Sequence, residues 1–300
     1  VAGDCGCDAC VNPCNDRCIP LCLPILRIHW NRFQFFAGTQ GFKGPLNFAS
    51  TDPANAAVRN GSGSFGFYQG FNEGRSLKNW LRCDLASQFG LRATQSNLSG
   101  AEFTQDTRYQ IFLTYGWFRR VDYGMQYGLV LDYMNDDWYY QADLLQLRGE
   151  LSWRTRGCHV YGFQFMSSLD SDTSATLVRD ETGNTLASAI AFESTDQYRF
   201  FYRQLLRGSG TWDTFAGWTG EDDGLLGSTI SLPVRRNLML QAGTTYLIPQ
   251  QGSASGGNRE EGWNISLGVV FRPGGPTGGG RYSRPMFDVA DNGTFMVDVK

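Results

Sequence analysis

The sequence has no long apolar run and little charge. None of its apolar stretches approaches the roughly 18 residues that a membrane-spanning helix needs. Charged residues form 18% of the 300-residue chain, whereas soluble domains average roughly 25%. The formal net charge is −3, which gives the binding of a nucleic acid no electrostatic support. A helical membrane protein and a nucleic-acid-binding protein are both excluded on these grounds.

Signatures of catalysis are equally scarce. The chain has two histidines, His29 and His159, and no GxSxG sequence around a nucleophilic serine. The glycine-rich stretch GSGSFG at 61–66 is not followed by the lysine of a phosphate-binding loop. We therefore predict that the protein is not an enzyme and binds no cofactor.

Alternation of apolar with small or polar residues is the strongest pattern that the sequence does contain. In WNISLGVVF the odd positions are large and apolar and the even positions are mostly small or polar. This alternation is typical of a β-strand with two unlike faces. The apolar positions are Trp263, Ile265, Leu267, Val269 and Phe271.

The same pattern predicts twelve strands between residues 27 and 272, of which the first, at 27–37, changes parity midway. One face of each strand mixes aliphatic residues with aromatic residues near its ends. In two clear strands this face carries Tyr109, Ile111, Leu113, Tyr115, Trp117, Leu145, Leu147, Leu151 and Trp153. The opposite face holds ionisable residues, namely Arg92, Arg108, Asp132, Arg148, Glu150, Arg154, Arg199, Arg203 and Asp213.

The connections between the predicted strands alternate in length. Those at 38–61, 168–195 and 248–261 are long, whereas those at 156–157 and 234–236 are short. The short connections carry arginine, and the long ones carry aspartate and glutamate. An up-and-down antiparallel barrel produces such a rhythm, because alternate connections lie at opposite ends.

Two environments fit these strands. In a soluble β-sandwich the apolar face packs against a second sheet, whereas in a transmembrane barrel it faces lipid and the charged face lines the lumen. The mid-strand charges favour the barrel, since each would cost roughly 2–4 kcal/mol on a lipid face. Small inward residues leave space along one wall, at positions 90, 116, 128, 162, 243, 266 and 268. We predict an all-β fold, a transmembrane up-and-down antiparallel β-barrel of about 12 strands.

The segments on either side of residues 27–272 differ from the strands. Residues 1–26 are rich in cysteine and proline. Residues 273–300 begin with the flexible linker RPGGPTGGG and continue with a sequence that predicts a C-terminal β-hairpin about Asn292–Gly293. The pattern leaves two positions open for this tail, which either enters the barrel or contacts neighbouring molecules.

The strand WNISLGVVF resembles the terminal strand of bacterial outer-membrane β-barrels, in which apolar residues alternate up to a final aromatic, here Phe271. That strand normally closes the chain, whereas residues 272–300 follow it here. The cysteine-rich start and the stretch FDVADNGTFMV are similar to those of barrel proteins from planctomycete cell envelopes. The resemblance implies a porin-like protein in the lipid bilayer of the bacterial outer membrane.

The start of the chain and the placement of its turns lead to a prediction of sidedness. The sequence begins Val-Ala-Gly-Asp without methionine, which predicts that a secretory signal peptide has been removed. Outer-membrane barrels keep their short turns on the periplasmic side. Both termini are then expected in the periplasm, as is every cysteine.

The cysteines are the first candidate sites. Dense cysteines in an oxidising compartment form disulfides more often than metal sites, so we expect bridges within residues 1–26, some of them reaching the barrel rim. Bridges between subunits and a metal site are the alternatives, although the spacing lacks the paired CxxC of common zinc sites. The disulfide candidates are Cys5, Cys7, Cys10, Cys14, Cys18, Cys22, Cys83 and Cys158.

Two acidic segments are weaker candidates for Ca²⁺. LDSDTSA at 169–175 and GEDDG at 220–224 present carboxylates, the ligands that Ca²⁺ prefers. The first lacks the loop glycine of an EF-hand, and neither has its terminal glutamate at the proper spacing. Solvated loop charge is the favoured interpretation, and no metal site is predicted.

Two functions remain open. The excess of inward arginine over carboxylates favours a narrow pore for small polar or anionic solutes, as part of a homo-oligomer. The unusual chain ends favour a structural protein that forms disulfide-stabilised oligomers or arrays and contacts the cell wall or other envelope proteins. A packed ion-pair network that stiffens a closed barrel is the third interpretation of the inward charges.

Overall fold

The computed structural model describes residues 29–44, 63–97, 107–138, 141–179, 185–249, 261–275 and 281–299, so the cysteine-rich segment 1–26 lies outside the described residues. One short helix, α1 (Lys78–Leu81), is present in these ranges, with 3-10 turns at Trp30–Arg32, Arg207–Ser209 and Arg281–Ser283. The strands are β1 (Phe33–Lys43), β2 (Ser64–Ser76), β3 (Ala86–Asn97), β4 (Thr107–Arg119), β5 (Gly124–Asp137), β6 (Gln141–Arg154), β7 (His159–Ser168), β8 (Ser171–Arg179), β9 (Thr185–Ser194), β10 (Gln197–Leu205), β11 (Thr211–Thr219), β12 (Gly224–Arg235), β13 (Leu238–Ile248), β14 (Gly262–Phe271) and β15 (Val297–Val299).

Twelve of the strands close into one antiparallel barrel. Each barrel strand is hydrogen-bonded to the next along the chain, except that β7 pairs with β10, and β1 pairs with β14 to complete the ring. Strands β8, β9 and β15 form a separate three-stranded sheet within the segment 169–196 and the tail. The predicted all-β class and the twelve-stranded antiparallel barrel are therefore confirmed, although β8 and β9 occupy a stretch that was expected to be a loop.

The two ends of the barrel carry different connections. We call the end with the connections 77–85, 120–123, 155–158, 206–210 and 236–237 the turn rim. The opposite end, next to the hairpin of β8 and β9, is the loop rim. Strand β1 begins and β14 ends at the turn rim. Among the described residues no helix is both long enough and apolar enough to cross a bilayer.

Alternate residues of the barrel strands point to the lumen and to the exterior, because successive side chains of a pleated strand lie on opposite faces. Along β4 the even-numbered residues are buried, and the odd-numbered residues are exposed or half-buried. Four members of the predicted apolar face are half-buried on the exterior, namely Leu113, Leu145, Leu147 and Trp263. The exposed members are Tyr109, Ile111, Tyr115, Trp117, Leu151, Trp153, Ile265, Leu267, Val269 and Phe271.

Strand β1 differs from the strand that was predicted over 27–37. Residues Trp30–Arg32 form a 3-10 turn, and the strand runs on to Lys43. The turn accounts for the change of parity in RIHWNRFQFF, where a bulge is not needed. Beyond Phe36 the outward positions are Ala37, Thr39 and Gly41, which are too small or polar to give the alternation of a strand.

The tail lies inside the barrel. Residues 281–299, which we call the plug, enter at the turn rim, cross the lumen and end in β15, where Val297 pairs with Ser194 of β9. The predicted C-terminal hairpin is therefore wrong. Asn292 and Gly293 do lie in a turn, but the strand that follows pairs with β9 and not with the residues before the turn.

The position of the plug separates the two ends of the described chain, whereas the prediction that both termini are periplasmic stays a prediction, because residues 1–28 lie outside the described residues. Strand β1 begins at the turn rim, whereas β15 pairs with residues Phe192–Ser194 at the loop rim. The described chain thus starts and finishes at opposite ends of the barrel. The reason is that the plug crosses the lumen from the turn rim to the loop rim.

Candidate functional site: the lumen and its plug

Where the plug enters the barrel, side chains of the wall form hydrogen bonds with its backbone. Gln88, which is 1% exposed, accepts hydrogen bonds from the amides of Met286 and Phe287 at 3.1 Å through its Oε1. The carbonyl of Phe287 accepts from Gln88 Nε2 at 3.2 Å and from Asn72 Nδ2 at 2.8 Å. Two wall amides thus satisfy the plug backbone at this level, as a strand partner would.

Apolar side chains of the plug complete two hydrophobic clusters with the wall. Near the turn rim, Met286 and Phe287 pack with Phe118 and Val130. Further along, the members are Phe112, Met134, Trp138, Ala142, Leu144, Phe192, Val289, Ala290, Phe295 and Val297. Each of the apolar plug residues is less than a tenth exposed, so the plug contributes a core to a barrel that otherwise has none.

A compact turn forms at the far end of the plug. The Asp291 carboxylate accepts the amides of Gly293 and Thr294, each at 3.0 Å, and the Asp291 carbonyl accepts the Phe295 amide at 2.7 Å. Aspartate favours such turns because its short side chain reaches backbone amides two and three residues ahead. Asn292 exchanges two hydrogen bonds with Gln110 of β4, at 2.9 and 3.0 Å.

This turn spans the lumen from wall to wall. The carbonyl of Gly293 accepts from Arg199 at 2.6 Å, and that of Thr294 accepts from Gln146 and Gln197 at 3.2 Å. On the opposite wall, Asn264 of β14 donates to Asp291 at 3.4 Å. The turn is therefore fixed to β4, β6, β10 and β14 at one level of the barrel.

Most inward charges are paired within the wall. The Arg148 guanidinium lies 2.8 Å from the Asp132 carboxylate, which also accepts the Thr114 hydroxyl at 2.6 Å. Arg203 lies 2.8 Å from Asp213 and 3.5 Å from Glu150. These pairs are consistent with a network that stiffens the barrel, since most members are withdrawn from water and depend on each other for compensation.

A second buried pair joins Arg108 to Asp136, with Arg108 Nε 2.8 Å from the carboxylate. Both side chains are fully buried. The sequence pattern misses Asp136, because its place near the end of β5 assigns it to a connecting loop. Its parity with Asp132, four residues earlier on the same strand, is the signal that identifies its inward direction.

The predicted lumen set falls into two groups. The buried members are Arg92, Arg108, Asp132, Arg148, Glu150 and Arg199. The partly exposed members are Arg154, Arg203 and Asp213, whose side chains are 28%, 15% and 27% exposed. All three lie toward the turn rim. The site also includes four side-chain amides of the wall, which a search for inward charged residues does not find. They are Asn72, Gln88, Gln110 and Gln146.

A cavity of about 110 Å³ lies on one side of the plug, and we call it the polar cavity after the charged and amide side chains in its lining. Its walls come from β1–β3, β10–β14 and the plug, and they combine two arginines with two aspartates. Arg92 stacks on Tyr68 with 3.8 Å to the ring centre, and Arg199 stacks on Phe215 with 4.2 Å. Other lining residues are Asn72, Thr229, Gln241, Gly243, Thr245, Asn264, Ser266, Asp288 and Asp291.

The inward glycines do not all leave open space. A Cβ at Gly128 would lie 2.6 Å from the Phe287 ring, and one at Gly90 would lie 2.4 Å from Val289. These two glycines accommodate the plug. A Cβ at Gly243, in contrast, would meet only the ends of Ser266 and Thr229, at 3.2 Å or more. The small inward residues predict open space along this wall, and the structure has such space beside Gly243, where the cavity lies.

The two described cysteines lie on the turn rim. Cys83 belongs to the connection after α1, and Cys158 to the connection before β7. Both are exposed, and within the described part of the chain neither takes part in a disulfide. The other six cysteines lie outside the described residues, so the predicted bridges remain a prediction.

The remaining candidate residues form no reactive cluster. His159 Nδ1 lies 2.7 Å from the Tyr202 hydroxyl near the turn rim. In the described ranges no three potential ligands among His, Cys, Asp and Glu come together as a metal site would require. Of the acidic segment 220–224, Asp223 lies beside Thr219, whose hydroxyl accepts the Asp223 amide at 3.1 Å.

The geometry defines a closed twelve-stranded barrel whose lumen is occupied by its own C-terminal segment. Residues 32–297 match the model described as "Family of unknown function (DUF6666)". The chain therefore belongs to that family. A comparison with curated proteins gives no significant match.

Several solved structures share the general barrel shape. A Pseudomonas aeruginosa FadL homologue is 8% identical over 80% of this chain and 90% of its own, with a TM-score of 0.47. The β domain of the Bordetella autotransporter Brka is 12% identical over 80% and 98%, with a TM-score of 0.48. A Salmonella typhi outer membrane phospholipase dimer with bound calcium is 10% identical over 79% and 90%, with a TM-score of 0.43. Similarities of this size carry no information about function.

The buried pair of Arg148 and Asp132 gives a test of the lumen network. We expect Asp132→Ala to lower the free energy of unfolding by about 3–5 kcal/mol, because it leaves a buried guanidinium without a counter-charge. Urea unfolding in detergent measures this change. Asp213→Ala is the matched control. Its side chain is 27% exposed and its partner retains Glu150, so a loss of about 1 kcal/mol or less is expected. Equal losses in both variants would contradict this account of the network.

Proposed function

We propose that the protein spans the bacterial outer membrane and provides a narrow passage for small polar or anionic solutes, which its own plug restricts. The passage is the polar cavity beside the plug. The membrane assignment is supported by the contrast between the two faces of the wall. The exterior carries rows of exposed Leu, Ile, Val, Phe, Tyr and Trp, and the interior carries the charges.

Exposing the apolar exterior of the barrel to water would be energetically unfavourable. Monomeric soluble proteins rarely expose contiguous apolar patches of more than a few hundred Å². Here the apolar positions recur on adjacent strands, for example Leu151 on β6 and Tyr161 on β7, which are each 54% exposed. A closed barrel has no unpaired sheet edge, which is the condition for β-strands to enter hydrocarbon. These two features together favour a lipid environment.

Substitutions on β14 test the membrane assignment. Leu267 lies in the middle of the strand and Phe271 at its end, and they are 52% and 45% exposed on the same face. In a bilayer we expect Leu267→Arg to lower stability by about 2–4 kcal/mol and Phe271→Arg by about 0–1 kcal/mol, because the cost depends on depth. Unfolding by urea in lipid vesicles measures both. Equal and negligible effects would indicate that this face meets water.

The proposed passage is closed at one level by the plug turn. The cavity extends along β13 and β14, where glycine, serine and threonine keep the wall polar and the side chains short. At the level of Asn264 and Thr245 the turn reaches the wall, since a Cβ at Gly293 would lie 2.8 and 2.9 Å from their side chains. Solutes larger than water would pass only if residues 291–295 move away from β14.

Conductance across a planar bilayer tests the passage. We expect the full chain to give a small or intermittent current, and a chain shortened after Gly275 to give a larger, steady one. The full-length variant Gly128→Val should act in the same direction, because its side chain would overlap Phe287. Ala37→Val, which adds the same side chain on the exterior of β1, is the control. Silence from a folded, shortened chain would rule out a passage.

A structural role in the cell envelope is the second candidate. Cys83 and Cys158 are both exposed at the turn rim, where each can reach the thiol of a neighbouring chain. Such bridges would produce the disulfide-stabilised homo-oligomers expected from the sequence. This role needs no open lumen and is compatible with a plug that never moves.

Non-reducing electrophoresis tests the second candidate. If subunits are joined at the turn rim, protein from oxidising membranes should run as a ladder that collapses with a thiol reductant. The double variant Cys83→Ser, Cys158→Ser should lose the ladder, whereas Ser87→Ala on the same rim should retain it. A single monomer band from the unchanged protein would count against assembly through these cysteines.

A further inference from the structure

Three arginines lie near one another at the turn rim, where the plug enters the barrel. Arg120 donates to Pro285, which adjoins Arg284, and the charge of Arg272 acts on Arg284. Arg120 follows β4, Arg272 follows β14 and Arg284 belongs to the plug. We propose that these three side chains form a binding site for a phosphate-type oxyanion. The site is separate from the polar cavity and does not depend on any conduction through the barrel.

The guanidinium groups are only partly used by the protein. Arg120 Nη2 donates to the Pro285 carbonyl at 3.0 Å, and Arg284 Nη2 donates to the Ser209 carbonyl at 3.3 Å. Three other nitrogens are buried without a hydrogen-bond partner, namely Arg272 Nε, Arg272 Nη1 and Arg284 Nε. Arg92, Arg154 and Arg199 each have one such nitrogen as well, but among the described arginines only Arg272 has two. Unpaired buried donors are rare in native proteins and point to a water or an ion that completes the site.

These arginines also lack a close counter-charge, although Glu150 acts on Arg120 and Asp288 acts on Arg272 from farther away. Among the described residues no carboxylate lies within ion-pair distance of Arg120, Arg272 or Arg284, whereas the neighbouring Arg154 and Arg203 lie 3.7 and 2.8 Å from carboxylates. All three side chains are half-buried, and charges that are withdrawn from water are normally paired. The contrast between adjacent arginines of the same rim therefore marks a cluster whose anion is not supplied by the described chain.

The electrostatics of the cluster follow from this geometry. Burial, and then the charge of Arg272, lower the pKa of Arg284 to about 10. Burial, followed by the charges of Arg203 and Arg284, lowers the pKa of Arg120 to about 10. Both values lie well above neutral pH, so the guanidinium groups repel each other while fully charged. An anion between them would remove that repulsion.

Phosphate suits the cluster better than a smaller anion. Arginine presents donors in a planar fork that pairs with the oxygens of phosphate. The unpaired nitrogens come from the wall, through Arg272, and from the plug, through Arg284, so an anion with several acceptor oxygens would connect the two. Inorganic phosphate, a phosphorylated solute and a phospholipid headgroup all present this group.

Calorimetric titration tests the site. The full chain in a non-ionic maltoside detergent is titrated at constant ionic strength with inorganic phosphate, and in a second arm with dihexanoyl phosphatidic acid. We expect saturable binding of one phosphate group per chain. Arg272→Gln and Arg284→Gln should each weaken it by about tenfold or more, since each removes charge-assisted hydrogen bonds. Arg272→Lys, which keeps the charge without the fork, should lose less.

Arg236→Gln is the matched control, because Arg236 is an exposed arginine on the same rim. Circular dichroism and thermal melting identify folded variants, and Arg284→Gln serves if Arg272→Gln does not fold. Binding of phosphatidic acid alone would support the site and assign it to a headgroup. Absence of binding in both arms, or equal weakening by Arg236→Gln, would overturn the proposal. The current measurements on the passage are not affected by either result.

Discussion

The structure depends on one constraint: the backbone amides and carbonyls of the plug, a single segment inside a closed barrel, need hydrogen-bond partners. The plug has no strand partner until it reaches β9, so its amides and carbonyls must pair with side chains of the wall. Gln88 supplies such pairs near the turn rim, and Gln146 and Arg199 supply them at the level of the plug turn. This requirement explains why the inward face is rich in amides and guanidinium groups, which hydrophobic packing alone would not call for.

The barrel is predictable from the sequence because its signal is local. Alternation on β4 and β14 repeats every second residue, and pleating alone converts it into two faces. The inward direction of Arg148 and Glu150 follows from the same parity. Strand β1 was placed too early because its outward positions after Phe36 are small or polar. Strand β8 is not predictable from its sequence, because SDTSATLVR mixes small and polar residues without a clear period.

The plug is not predictable in this way, because its contacts are distant along the chain. Phe287 meets Gln88 across 199 residues, and Asn292 meets Gln110 across 182. Asn292–Gly293 does indicate a turn, which the structure contains, but the signal cannot tell whether the flanking residues pair with each other. The inward glycines were interpreted as empty space, yet Gly90 and Gly128 mark where the plug passes close to the wall.

The route of the plug has a consequence for biogenesis. A chain whose last strand lies beyond the opposite rim is threaded through its own ring. Strands β1 and β14 close the barrel through nine paired residues. They pair either around a tail that is already in place or before the tail enters. In the second case Phe287 and Phe295 must pass through a completed barrel. The first order avoids pulling bulky rings through a narrow bore. In that order of events, the barrel wall would close around the tail.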